Sequence, residues 1–414
     1  MSDLVYKRYD FKWDALEVIL GGKSLVDYHH GLSGIPMARI EEADCFIKSY
    51  GFNLDDPIQN GEVLGNFHEA IHFIRTYFLY PENPEGLKLE IPRKILELTD
   101  VRELLLMASV SYPGQSTDTQ GIALRNWSCC LLKVIHTIVH VDKDIRVNYF
   151  ADIQQQIFDK FYKMVHRSKD GTLFFGKSLE DKMRIELAAF ETKPKKSRES
   201  ILIKMLHKPE NVMEDIFDQF GIRFITKTRL NSLCLVKYLK DTMLVVPANI
   251  KPSRSKNSLV NVELLKSKID SLLHDYEMNK ITEEELNEEL EGFCKLNQFE
   301  SENPHSSAYY RAIQFTSRQL IKISNPLFDD VKDLKSKAEK EKLSDAFKQA
   351  VDRIDLKYLQ REIRFFYPFE VQITDYKSAQ ENEKGLSAHS EYKKSQMQAA
   401  MKRAMGSLMN VANE

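Results

Sequence analysis

Glu370 sits near the start of the run Phe365–Lys394, FFYPFEVQITDYKSAQENEKGLSAHSEYKK. Phe369, Val371 and Ile373 alternate with Glu370, Gln372 and Thr374, the period of two that sends neighbouring side chains to opposite faces of a strand. A carboxylate and an amide therefore share one face, and the other face is apolar. After a polar turn the pattern becomes helical, with His389, Tyr392 and Lys393 within one turn of each other. An acid on a rigid strand, backed by a helix carrying His, Tyr and Lys, suits phosphate and metal chemistry better than packing. A second carboxylate, Asp218, stands just before another apolar β segment. Magnesium takes one or two carboxylates plus phosphate oxygens, so Asp218 and Glu370 are the candidate ligands for metal-assisted phosphoryl transfer. They are far apart in sequence, and only the fold can bring them together.

The elements that must position these residues follow from the spacing of apolar side chains. Residues 1 to about 168 predict an α-helical domain, with helical periodicity over Ala38–Tyr50, Val63–Leu79, Ile91–Met107, Ile122–His140 and Val147–His166. The turn Ser168-Lys169-Asp170-Gly171 marks the expected boundary. Residues 169–414 predict an α+β domain, a mixed sheet flanked by helices. Lys193–Leu206 passes from a loop or strand end into a helix, and Asp218–Ile225 is a helix end or loop feeding a strand. Leu230–Leu239 reads as a helix, Met243–Val246 as a strand and Pro252–Asn257 as a basic polar loop. Residues 262–296 read as an inserted helical hairpin, with Thr282 and Glu285 spaced as a capping box. A strand over Ala308–Ser324, a charged helix over Asp329–Leu356 and a C-terminal helix in 385–414 complete the expected order.

The 414 residues carry a net charge of -2, so no global field draws the chain to nucleic acid or to an anionic membrane. A phosphate-binding surface has to be local. Five scattered cysteines without a CxxC pair suit a reduced cytoplasm. No uninterrupted apolar run is long enough to span a bilayer, and no membrane partner is expected. His136 and His140 are four apart and could hold a metal with Asp142, but the apolar surroundings favour buried, hydrogen-bonded histidines. His274-Asp275 lies in a polar helix without companion histidines at useful spacing.

Five blocks in order carry a resemblance. Lys196 with Ser200-Ile201 comes first, then Asp218-Gln219-Phe220-Gly221-Ile222-Arg223, then the basic loop Ser253–Asn257. Tyr310-Arg311-Ala312-Ile313-Gln314 and Glu370-Val371-Gln372-Ile373 follow, the last with Ala388-His389-Ser390-Glu391-Tyr392-Lys393 behind it. The set, spread over about half the chain, resembles the RelA/SpoT-type alarmone synthetases and their nucleotidyltransferase-like fold. The resemblance implies an Mg²⁺-dependent pyrophosphokinase that moves the β,γ-pyrophosphate of ATP to the 3′-hydroxyl of GDP or GTP, or to a tRNA 3′ end. It implies Asp218 and Glu370 as the catalytic residues, Asp218 holding the metal and Glu370 sharing it or taking the proton of the attacking hydroxyl, and Tyr310 as the platform for the acceptor base. Lys195, Lys196, Arg198, Arg254 and Lys256 would take phosphates, with Ser200, Arg223, Arg311, Gln372, His389 and Lys393 as further substrate contacts. Three positions depart from the family: Pro194 replaces an arginine, Tyr309 a glycine and Gln314 a histidine. The hydrolase half of bifunctional alarmone enzymes is not expected. The alternative is an inactive nucleotide sensor or RNA-binding module of the same fold. A homo-oligomer is compatible with either.

Overall fold

The computed structural model describes residues 20, 37–109, 118–193, 196–207, 219–295, 310–340, 344–356, 359–383 and 389–411. Among the described residues six helices come first: α1 Ile40–Tyr50, α2 Pro57–Phe78, α3 Arg93–Leu96, α4 Val101–Ala108, α5 Thr119–Asp142 and α6 Phe150–Tyr162. Strands β1 Val165–Arg167, β2 Leu173–Phe175 and β3 Ile185–Lys193 follow, then helix α7 Arg198–His207, strand β4 Gly221–Thr226 and helix α8 Arg229–Asp241. Beyond them lie β5 Lys256–Asn257, α9 Val262–Glu277, α10 Glu283–Phe293 and β6 Ile313–Ser324. The chain ends with α11 Pro326–Lys340, α12 Asp345–Asp352, β7 Glu362–Asp375, α13 Tyr376–Asn382 and α14 His389–Val411. Helices and one mixed sheet make this an α+β protein.

The chain divides into two compact units, and one cut near residue 168 does not describe them. The first holds the described residues up to 145 together with α7 and α14. The second holds residues 146–193 and 219–383. Helix α6 belongs with the sheet because its apolar face is aromatic: Phe161 lies 6.2 Å from Phe224 and 5.9 Å from Phe369, ring centre to ring centre. Helix α14 belongs with the first unit because Ala404, Met405 and Leu408 pack with Leu202 and Leu206 of α7.

The first unit is helical around a single apolar core. Asp56 and Asp118 cap α2 and α5 by accepting from Ile58 N–H and Gly121 N–H. By length and composition α5 could cross a bilayer, but 67% of its most apolar window is buried within the structure, and Leu131, Val134 and Ile138 sit in the core. His136 Nδ1 lies 2.6 Å from the Tyr50 hydroxyl, and the His140 ring stands edge-on to it at 4.4 Å. Asp142 turns instead to Arg198.

The second unit is built on a seven-stranded sheet in the order β1-β2-β3-β4-β7-β6-β5. Strands β4 and β7 are parallel, and every other pair is antiparallel. Phe224, Phe369, Val371 and Ile373 bury one face against α6 and α8. Helices α9 and α10 form the predicted hairpin, with its own small core of Leu265, Leu286 and Leu290. The capping box of Thr282 and Glu285 is formed in full.

Two local expectations are corrected. Met243–Val246 is not a strand: Met243 takes a left-handed φ of 56°, and Val245 N–H reaches back to Leu239 O at 3.1 Å. Val245 is buried and Leu244 packs against the core, while Met243 and Val246 are exposed, so the segment closes the end of α8 instead of pairing in the sheet. Asp329–Leu356 is two helices, since Ser344 caps α12 by accepting from Phe347 N–H.

Burial and the neighbouring His140 hold His136 neutral down to about 4, against 6.5 for a free imidazole. The unfolded chain therefore binds a proton that the folded chain refuses as pH drops from 6.5 toward about 4. Stability contributed by the neutral Tyr50–His136 pair is full above that window and lost within it, at up to about 1.4 kcal/mol per pH unit. Urea midpoints at pH 7 and pH 5.5 should differ less in His136→Gln than in the wild type; equal differences contradict the assignment.

Candidate functional site

The face of the sheet opposite the aromatic core carries polar and charged side chains. Register fixes which residues meet there. Glu370 of β7 lies beside Gly221 of β4 on one side and Thr316 of β6 on the other, and Gly221 in turn faces Lys193 of β3. The next row reads Glu191, Arg223, Gln372, Gln314 and Lys256 across β3, β4, β7, β6 and β5. Neighbouring strands are about 4.8 Å apart, so each row is a line of touching side chains.

Glu370 is the centre of this arrangement. Lys193 Nζ lies 3.1 Å from its Oε2, and the Gln314 amide donates to its Oε1. The glutamate side chain keeps 13% of its exposure, so the carboxylate is nearly enclosed but reachable. Gly221 makes room for it: a Cβ there would stand 3.0 Å from the Glu370 carbonyl oxygen and 3.3 Å from the Glu370 Cβ. The amide of Gln372 donates to the Tyr310 hydroxyl and fixes the position of the phenol. Burial pushes the Tyr310 phenol up, against the pull of Lys193 and Arg223. It is therefore neutral at pH 7 and keeps its own hydrogen to donate.

Arg223 Nη1 lies 3.4 Å from Glu191 and 3.7 Å from Glu383, while its buried Nε has no hydrogen-bond partner among the described residues. Arg311 is held by its backbone. Its N–H donates to Asn382 Oδ1 at 2.9 Å, and its carbonyl accepts from Asn382 Nδ2 and Thr374 Oγ1. Its buried Nη1 is likewise unpartnered. Such donors demand an acceptor, and a phosphate supplies several. Lys251 N–H donates to Thr316 O at 3.0 Å, which lays the basic loop with Arg254 and Lys256 along the edge of β6. Arg254 and Lys256 are exposed there.

The remaining predicted residues among those described are not on this sheet. Lys196, Arg198, Ser200, His389 and Lys393 belong to the first unit. Arg198 grips Asp142 through Nε and Nη2 at 2.7–3.0 Å, and its Nη1 contacts Glu69. Its guanidinium serves two carboxylates, where the resemblance implied a phosphate. Ser200 Oγ lies 3.0 Å from Ser197 Oγ, His389 opens α14, and Lys393 is exposed. Lys195 and Asp218 lie outside the described residues. Lys193, Gln314 and Asn382 were not among the predicted site residues. Only the alternation of Phe190 and Thr192 with Glu191 and Lys193 could have pointed to the lysine.

Among the described residues no group of three or more His, Cys, Asp or Glu could hold a metal. Magnesium does not require one, since a single carboxylate can be its protein share when phosphates complete the shell. Glu370 suits that role: an ionised carboxylate has about four acceptor positions, and Lys193 and Gln314 use two.

Compared with protein-family models, with curated proteins and with solved structures, the chain gives no match in any of the three.

Adding a methyl at Gly221 forces the Glu370 backbone away from β4. Gly221→Ala should lower stability by about 1–3 kcal/mol in a denaturant titration. An unchanged midpoint would mean that the close approach of β4 and β7 is not a constraint.

Proposed function

We propose that this chain transfers the β,γ-pyrophosphate of ATP to the 3′-hydroxyl of a nucleotide of the GDP/GTP type or of a tRNA 3′ end, with the nucleotidyltransferase-like fold of the alarmone synthetases it resembles. The observation that carries the proposal is the setting of Glu370, an acid held by an ammonium and an amide on a polar sheet face. The relation of the sequence blocks supports it as well. The strand after Asp218 and the strand of Tyr310-Arg311-Ala312-Ile313-Gln314 flank the Glu370 strand on either side, and the basic loop edges the sheet.

In this account Glu370 accepts the proton of the acceptor 3′-hydroxyl as its oxygen attacks the β-phosphorus of ATP. The bond from that phosphorus to the oxygen bridging it to the α-phosphate breaks, and AMP leaves with the electron pair. Lys193 and Arg223 face the phosphates and offset the charge that builds on them. The neutral Tyr310 phenol meets the acceptor base by its ring and its free hydrogen. Magnesium, held by Glu370 with Asp218 as the second candidate ligand, would neutralise phosphate charge.

The test is transfer of label from γ-³²P-ATP with magnesium to GDP, GTP, ADP, ATP or bulk tRNA. Glu370→Gln should lower the transfer rate by roughly 10²–10⁴-fold. Binding of ATP without transfer to any acceptor would favour an inactive nucleotide sensor instead.

A further inference from the structure

The two long strands that carry the site run on well past it. Along β6, Gln314 and Thr316 are followed on the same face by Arg318, Leu320 and Lys322. Along β7, Gln372 and Glu370 are followed by Pro368, Phe366 and Arg364. Register pairs Arg318 with Pro368, Leu320 with Phe366 and Lys322 with Arg364. The period of two therefore carries the face of Glu370 outward along both strands, with Thr316 and Pro368 buried between Glu370 and the exposed outer residues. On the opposite face Ile321, Ile323 and Tyr367 are buried in the core.

The outer stripe is open. Phe366 is 54% exposed and Leu320 40%, a cross-strand apolar pair with no cover. Arg318 and Lys322 are exposed on either side of Leu320, and neither forms an ion pair among the described residues. Arg364 is paired with Glu362. The free edge of β6 is closed at this point, because Gln156 accepts from Lys322 N–H at 3.2 Å and donates to Lys322 O at 2.9 Å. At Lys322 the edge backbone is therefore already paired, and the face beside it is open.

We infer that this face binds the single-stranded nucleic acid that leads to an acceptor 3′-hydroxyl at Glu370. An exposed ring supplies a stacking platform for a base, and the two unpaired cations beside it supply phosphate contacts. Two exposed cations flanking the apolar pair favour a polyanion over an apolar protein partner. From Thr316, beside Glu370, to Leu320 is four residues, or about 13 Å. That is about four nucleotides at a stacked rise of about 3.4 Å. Binding stands on the face alone; its direction toward a reacting 3′ end rests on the pyrophosphate-transfer proposal.

The experiment is fluorescence anisotropy of a 5′-labelled mixed-sequence 12-nucleotide RNA with the full chain, at two salt concentrations. The wild type should bind, and more weakly at higher salt. Phe366→Ala should weaken binding by roughly 5- to 100-fold. The double variant Arg318→Glu, Lys322→Glu should weaken it further and flatten the salt dependence, with unchanged thermal midpoints showing that both variants are folded. DNA of the same sequence tells an RNA site from a general single-strand site, and either binder supports the inference. Absence of RNA and DNA binding by the wild type, equal affinity of the folded variants, or equal affinity for a duplex would overturn it. Label transfer by wild type and Glu370→Gln decides the catalytic proposal separately, whichever way binding falls.

Discussion

β7 is clamped between a parallel neighbour and an antiparallel one, and the register of both pairings decides what the second unit can do. Six residues pair with β4 and twelve with β6, so the strand cannot slip on one side without breaking the other. A slip of one residue would send Val371 and Ile373 to the polar face and Glu370 into an aromatic core. Burial of Phe369, Val371 and Ile373 therefore holds the carboxylate in place more firmly than any bond the carboxylate makes itself. Gly221 is the local condition for this arrangement, since a side chain there would press on the Glu370 backbone.

The same sheet concentrates charge that the rest of the chain balances. Overall charge is close to neutral, yet Lys193, Arg223 and Lys256 come from three strands onto one face, where Glu370 and Glu191 answer them only in part. Among the described residues the buried Nε of Arg223 has no hydrogen-bond partner. Leaving such a donor bare costs roughly 1–3 kcal/mol, which a bound acceptor would recover. Unspent donors beside a held carboxylate are what a phosphate-binding site requires.

The strand around Glu370 was legible because its alternation is strict and its apolar face is fully buried. The helical hairpin of residues 262–296 was legible through one capping box. Met243–Val246 misled because apolar residues that cap a helix end look like a short strand. The grouping of elements into units was not legible. α6 and α14 are both amphipathic, and only the aromatic match of Phe161 with Phe224 and Phe369, or of Leu408 with the α7 leucines, assigns each to its core. Arg198 looked like a phosphate ligand from sequence; its two carboxylates, Glu69 and Asp142, are far from it along the chain. In sequence Lys193 reads only as a loop or strand end leading to a helix, although the register places it opposite Gly221 and next to Glu370 in space.

The central claim is that the polar face around Glu370 is where ATP meets its acceptor. A crystal structure of the chain with α,β-methylene-ATP and magnesium tests it most directly, because that analogue carries the triphosphate but not the bond to be broken. The account predicts phosphate oxygens against Lys193 and Arg223 with the metal at Glu370. A nucleotide seated away from this face, or Lys193 and Glu370 still paired to each other with phosphates elsewhere, would contradict it.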